Sequence, residues 1–291
     1  MRNVKIAAIQ MQCSPHIEEN LKKAEKMIRE AHQQGAKIIL LPELFEREYF
    51  CQQRRYEFYN LATPLEKNPA VLMGYRLAKE LNIVLPISFY ERDGNEFYNS
   101  IACIDADGGL LGVYRKTHIP DDHYYQEKFY FKPGNSGFKV FKTMYGCIGI
   151  GICWDQWFPE TARCLVLEGA EVLFYPTAIG SEPILDCDSM NHWRTCMQGH
   201  AACNIVPVIA ANRIGLEEVQ PDAENGYQSS SLNFYGSSFM TNETGEILYQ
   251  ASRDREEILV QEYDLDAIQE KRFSWGLFRD RRPSCYSKIT D

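Results

Sequence analysis

The chain has 291 residues, 45% hydrophobic and 24% charged, a balance that suits a globular protein with a sizeable buried core. Its formal net charge of −9 argues against nucleic acid or an anionic membrane surface as a partner, because an acidic surface repels both. Ten cysteines scattered through apolar runs point away from a disulfide scaffold and towards reduced thiols in the cytoplasm.

The opening "MRNVKIAAIQMQCSP" is too soon interrupted by Gln10 and Gln12 to act as a secretory signal. "VKIAAIQ" predicts a buried strand. Residues 17–34 set Leu21, Ala24, Ile28 and Ala31 on one helical stripe that Gly35 stops. "KIILLP" predicts a second buried strand, residues 69–81 a helix, and "NIVLPISFYE" a return to strand. "FYNSIACIDADGGLLGVYRK" predicts a hairpin around an Asp-Gly turn. Residues 120–137 form a long aromatic loop, a kind of segment that is often functional.

The second half repeats this plan. A strand over 146–152 leads to a helix from Pro159 to Leu167, then to strand "EVLFYP", a helix around 187–203 and strand "IVPVIAA". "YGSSFMTNETGEILYQ" predicts another hairpin, "EEILVQEYDL" a strand, and residues 265–291 a helix with an Arg-rich tail. Strands alternating with helices, with hairpins among them, indicate α/β layers whose sheets are not purely parallel. Without a linker or a shift in composition, residues 1–291 are expected to form one domain.

Three polar residues stand just past apolar strand runs: Glu43 in "IILLPELF", Lys116 in "LLGVYRKTH" and Cys153 in "GIGICWDQWFPE". Strand ends in α/β folds hold reactive groups on rigid supports at a crevice. A thiol needs a base, which Glu43 offers, and an attacked carbonyl needs positive charge, which Lys116 and the Trp154 N–H offer. Glu127, in the long loop, is a fourth candidate, to orient Lys116 or to move a proton. Each residue alone is more commonly a solvated charge or an inert core thiol, and sequence order does not show that they meet.

Together, and in this order, "LLPELF", "YRKTHIP" and "GIGICWDQWFPE" resemble the nitrilase superfamily of carbon–nitrogen hydrolases across nearly the whole chain. The resemblance implies a four-layer αββα sandwich with two mixed β-sheets. It also implies a Glu43–Lys116–Cys153 triad with Glu127 as second glutamate, and no metal or organic cofactor. Relatives assemble as homo-oligomers, so a dimer or larger assembly is expected, with 265–291 at subunit contacts. "DDHYYQEKFYFKPG", "PTAIGSEP", "HWRTCMQGHAACNIVPVIAANRIG" and "RDRRP" narrow the resemblance to a branch that acts on a small cationic carbamoyl substrate.

A cationic substrate end calls for carboxylates and aromatic faces, for which Tyr49, Asp121, Trp154 and Glu182 are candidates. A substrate ending in a carboxylate, such as an N-carbamoyl amino acid, would instead need a cation, for which Arg194 is available. A reading from another class rests on His192, Cys196 and His200, which share one helical face and offer ligands for zinc or copper. Against it, three ligands along one straight helix do not converge on a single ion.

Overall fold

The computed structural model describes residues 1–122, 124–181 and 187–290. From the N-terminus run β1 (Asn3–Gln12), α1 (Ile17–Gln33), β2 (Ile38–Leu40), α2 (Pro69–Leu81) and the meander β3 (Leu85–Asp93), β4 (Glu96–Ile104) and β5 (Leu110–Arg115). After the long loop come β6 (Val140–Thr143), β7 (Gly146–Ile150), α3 (Pro159–Leu167), β8 (Val172–Pro176) and α4 (Met190–Asn204). The chain finishes with β9 (Val208–Ala211), β10 (Arg213–Val219), β11 (Ser230–Tyr235), β12 (Phe239–Thr241), β13 (Ile247–Gln250), β14 (Glu257–Asp264) and α5 (Leu265–Trp275).

Local chemistry explains several boundaries. Asn68 accepts the Val71 N–H at 3.0 Å and Pro69 occupies the first helical position, so α2 starts there. Asp264 caps α5 through the N–H groups of Asp266 and Ala267, and Gly276, at φ +75°, ends it in the left-handed region.

The strands form two mixed sheets. In the first, β1 pairs in parallel with β2 and β10 and antiparallel with β14, and β10 carries β11. The meander β3–β4–β5 joins it through the parallel bridge Ile38↔Val84. The second sheet runs β13-β12-β9-β8-β7-β6, with β7, β8 and β9 parallel.

The period of two along each strand builds the layers. Val4, Ile6 and Ala8 of β1 join Ile148, Ile150, Phe174 and Ile209 in the core between the sheets. Their neighbours Ala7, Ile9 and Met11 pack on Ala24, Ile28 and Ala31 of α1 and on Val71 and Leu77 of α2. On the far side, Leu173, Tyr175, Val208 and Ala210 pack on Leu165 of α3 and on Trp193, Met197 and Ala201 of α4. The order is therefore helices, sheet, sheet, helices, the αββα sandwich expected from the sequence. A fourth cluster, with Leu44, Tyr49, Phe50, Tyr90, Tyr130 and Phe234, lies under the long loop and fixes that loop against the strand ends.

Candidate active site

Glu43 follows β2, Lys116 follows β5 and Cys153 follows β7, so three chain segments end at one place. Lys116 Nζ donates to Glu43 Oε1 at 2.8 Å and to Glu127 Oε2 at 2.7 Å, and all three side chains are buried. Tyr49 donates its hydroxyl to the other oxygen of Glu127 at 2.7 Å, and Asn99 Nδ2 donates to Glu43 Oε1 at 2.6 Å. Glu43 Oε1 thus takes two donors, whereas Oε2 is buried with no hydrogen-bond partner among the described residues. A carboxylate oxygen in that state is a ready proton acceptor.

Cys153 opens the 3₁₀ turn Cys153–Trp157 at φ +42°, a region non-glycine residues rarely adopt and one that costs of order 1–3 kcal/mol. Its Sγ lies 3.8 Å from the Ala178 carbonyl oxygen, and the residue is 6% exposed. The turn is anchored by Asp155, whose carboxylate accepts the Ile152 N–H at 2.9 Å, the Tyr114 hydroxyl at 2.7 Å and the His118 N–H at 2.9 Å. The His118 ring, whose Nδ1 is 2.8 Å from the same carboxylate, stacks on Phe158 with centroids 3.7 Å apart. Gly151 has no room for a side chain, since a Cβ there would lie 2.8 Å from the Tyr175 ring.

The charges are coupled. Burial alone would lower the Lys116 pKa, but the carboxylates of Glu127 and Glu43 outweigh it and hold the ammonium well above its ordinary range. Burial raises Glu127 to about 7, with Lys116 opposing and Glu43 adding to the rise. Burial first, then Glu43, pushes the Cys153 thiol well above its ordinary value, with Lys116 pulling the other way. One ammonium is shared by two buried carboxylates, so the cluster resists a further negative charge. Burial and Glu43 together therefore favour the protonated thiol over the thiolate.

Cys153 and Glu127 open onto a cleft of about 590 Å³, lined also by Asp121, Tyr125, Lys128, Trp154, Trp157 and His192. The chain matches the carbon–nitrogen hydrolase family over residues 5–273. The chain belongs to that family. It is 55% identical over 287 residues to an N-carbamoylputrescine amidase of Oryza sativa subsp. japonica, covering 98% of this chain and 94% of the relative. It is 51% identical to a citrullinase of Francisella tularensis subsp. tularensis, over 99% of both chains. The crystal structure of a carbon–nitrogen hydrolase from Helicobacter pylori superposes with a TM-score of 0.90 at 35% identity, over 99% of both chains.

Within this carbon–nitrogen hydrolase, the expected binding residues divide. Asp121 and Trp154 line the cleft, and Trp154 is 39% exposed. Tyr49 does not line it: the residue is 2% exposed and its hydroxyl is engaged by Glu127, so it supports a carboxylate instead of meeting a ligand. Glu182 lies outside the described residues. Arg194 is directed to Gln250 and Asn191, which leaves it off the cleft wall.

The His192, Cys196 and His200 set comes together only in part, since Cys196 Sγ lies 3.6 Å from His200 Nε2 while His192 is placed elsewhere. His192 packs on Trp157 with ring centroids 4.8 Å apart, while His200 Nε2 sits 2.7 Å from the Gln156 carbonyl. Among the described residues, no group of three or more His, Cys, Asp or Glu side chains is placed to hold a metal ion. No described helix is long and apolar enough to cross a membrane.

Sequence reading missed Asn99 and Asp155 as parts of the site. Asp155 stands two residues past Cys153 as the one acidic side chain of the turn Cys153–Trp157, and that is the available signal. Asn99 carried none, because a single amide within a strand has no distinctive pattern.

Proposed function

We propose that this carbon–nitrogen hydrolase cleaves the carbamoyl group of N-carbamoylputrescine, releasing ammonia, CO2 and putrescine. The observation that carries the substrate is the near full-length similarity to the rice amidase. The cleft supports it: the carboxylate of Asp121 and the rings of Trp154 and Tyr125 line the same wall space, a chemistry that suits an ammonium group, and a cation over such a ring gains about 0.5–2 kcal/mol.

A carbamoyl carbon is a poor electrophile because both nitrogens donate into its carbonyl. In the proposed reaction Glu43 Oε2 takes the Cys153 proton as the sulfur bonds to that carbon. The oxyanion forms against Lys116 and the Trp154 N–H. Collapse of the adduct expels ammonia, which receives the proton from Glu43, and leaves an S-carbamoyl enzyme. Water then gives a proton to Glu43 and attacks the same carbon. The C–S bond breaks, Cys153 is reprotonated, and the released N-alkyl carbamate loses CO2 to leave the amine. Glu127, tied to Tyr49, keeps Lys116 in place throughout.

The Francisella relative favours a second reading in which the substrate is citrulline, with Lys128 of the cleft lining meeting its carboxylate. Ammonia release from N-carbamoylputrescine, citrulline and N-carbamoyl-β-alanine, run in parallel with Cys153→Ala, separates the readings. The proposal expects a clear preference for N-carbamoylputrescine, abolished in the variant. Preference for citrulline or N-carbamoyl-β-alanine would overturn the substrate assignment, and activity without Cys153 would overturn the mechanism. The C-terminal segment leaves Phe273, Trp275 and Ile289 exposed, which supports its use in contacts between copies of this chain. Light scattering before and after truncation of that segment tests this.

A further inference from the structure

The base and the nucleophile belong to different sheets. Glu43 follows β2 of the first, and Cys153 follows β7 of the second. Their separation must be held across the joint between two packed layers. Between β9 of the second sheet and β10 of the first, the chain passes from one layer to the other, and Asn212 lies at that crossing with Arg213 next to it. Both are fully buried.

Arg213 holds the segment that carries the base. One terminal nitrogen donates to the carbonyls of Glu43 at 2.8 Å and Leu44 at 2.9 Å, and the other to the carbonyl of Arg47 at 3.1 Å and to Glu217 at 2.9 Å. Glu217 then accepts the Tyr49 N–H at 2.5 Å, fixing the residue whose hydroxyl holds Glu127. Leu44 stands at φ +47°, so the turn at the base is not one the backbone would keep unaided.

Asn212 holds the wall facing the thiol. Its Oδ1 accepts the Ile179 N–H at 3.0 Å, and its Nδ2 donates to the Ile179 carbonyl at 2.8 Å and to Gly236 at 2.9 Å. Ala178, next to Ile179, presents the carbonyl that lies against Cys153 Sγ. Two consecutive side chains thus reach opposite walls of the site. We infer that Asn212 and Arg213 act together as positioning residues that set the distance between Glu43 and Cys153. The inference rests on the catalytic roles proposed for those two groups.

The test is a cycle of Asn212→Ala, Arg213→Lys and the double variant, with Glu43→Gln and Cys153→Ala as references. Lysine keeps the charge of Arg213 but lacks the planar fork that serves several carbonyls at once. A misplacement of about 1 Å costs on the order of 10²-fold in rate, so each single variant should lose kcat on that scale with KM changed less than about threefold. Because both act on one distance, the double variant should be no slower than the slower single. Alkylation of Cys153 by iodoacetamide, followed by peptide mass spectrometry, should lose its wild-type pH profile in both singles.

A folded single variant with near-wild-type kcat, or losses that multiply in the double, would overturn the inference. Where Arg213→Lys does not fold, Glu217→Gln, which weakens the hold on the same guanidinium, is read in its place, and undiminished kcat there overturns it. Activity retained in Glu43→Gln or Cys153→Ala would instead remove the underlying mechanism, so the two failures are distinct.

Discussion

Lys116 meets Glu43 at 2.8 Å although 73 residues separate them in the chain, and neither side chain touches solvent. A buried ion pair of this kind is weak evidence for stability, because desolvating both charges offsets their attraction. It fixes geometry instead: an ammonium held between Glu43 and Glu127 cannot drift from the carbon that Cys153 would attack.

Removing the ammonium leaves two buried carboxylates without their shared partner. Lys116→Ala is expected to lower kcat by roughly 10²–10³, the usual cost of losing one oxyanion donor. It should also destabilise the fold by about 3–5 kcal/mol at neutral pH, the range for breaking a buried pair from one side. Steady-state ammonia release and urea unfolding measure the two effects separately. A variant within threefold of wild-type kcat would take Lys116 out of the reaction.

Glu127 has a pH signature. Burial lifts its folded-state value to about 7 from an ordinary 4.5, so the folded chain binds a proton that the unfolded chain releases between those values. The raised folded value makes this group's contribution complete below about 4.5 and lost as pH rises through about 7. Glu127→Gln cannot ionise, so it lacks this loss. Its stability relative to wild type should climb steadily across that window and level off above it. Thermal melts of both proteins from pH 5 to pH 8 give the slope, and a constant difference would contradict the raised value.

Asp155 gathers the Ile152 N–H, the Tyr114 hydroxyl and the His118 N–H onto one carboxylate within the Cys153–Trp157 turn. Each buried donor left unpaired costs roughly 1–3 kcal/mol. Asp155→Ala should therefore lose stability by at least one such increment and slow catalysis, because the φ +42° conformation of Cys153 loses its anchor. Asp155→Asn, which keeps one acceptor oxygen, should fall between the two. Urea unfolding and kcat on all three proteins test the order, and an Asp155→Asn as impaired as the alanine variant would show that charge matters more than the bonding pattern.

Much of this fold can be read directly because its signals are local. Helix Pro69–Leu81 begins where Asn-Pro begins it, and the apolar run of β1 marks it as a buried strand before any packing is known. The positions of Glu43, Lys116 and Cys153 at strand ends are legible for the same reason. Tyr49 misleads because the sequence shows an aromatic near a candidate base but not which end of the ring is used. Asn212 and Arg213 follow the apolar run "IVPVIAA", where a polar stop looks like a solvated strand end. Only the packed structure closes the carbonyls of Glu43, Leu44 and Arg47 around the guanidinium.

Asp121 carries the prediction closest to substrate choice. It lines the cleft and also faces Arg54 at 3.3 Å in a half-exposed pair, so its field on a ligand is partly spent and partly screened. Exposed pairs contribute about 0.2–1 kcal/mol, and the partial burial of the cleft places Asp121 at the upper end of that range. Asp121→Asn should then raise KM for N-carbamoylputrescine roughly three- to fivefold with kcat nearly unchanged, the pattern of a contact made equally in ground and transition states. The same substitution should leave KM for a neutral N-carbamoyl alkylamine of equal length within about twofold, since it has no ammonium to lose. Measuring both substrates on both proteins at two ionic strengths completes the argument: the wild-type advantage for the cation should shrink with added salt. If both substrates weaken alike, Asp121 shapes the wall of the cleft and does not read its charge.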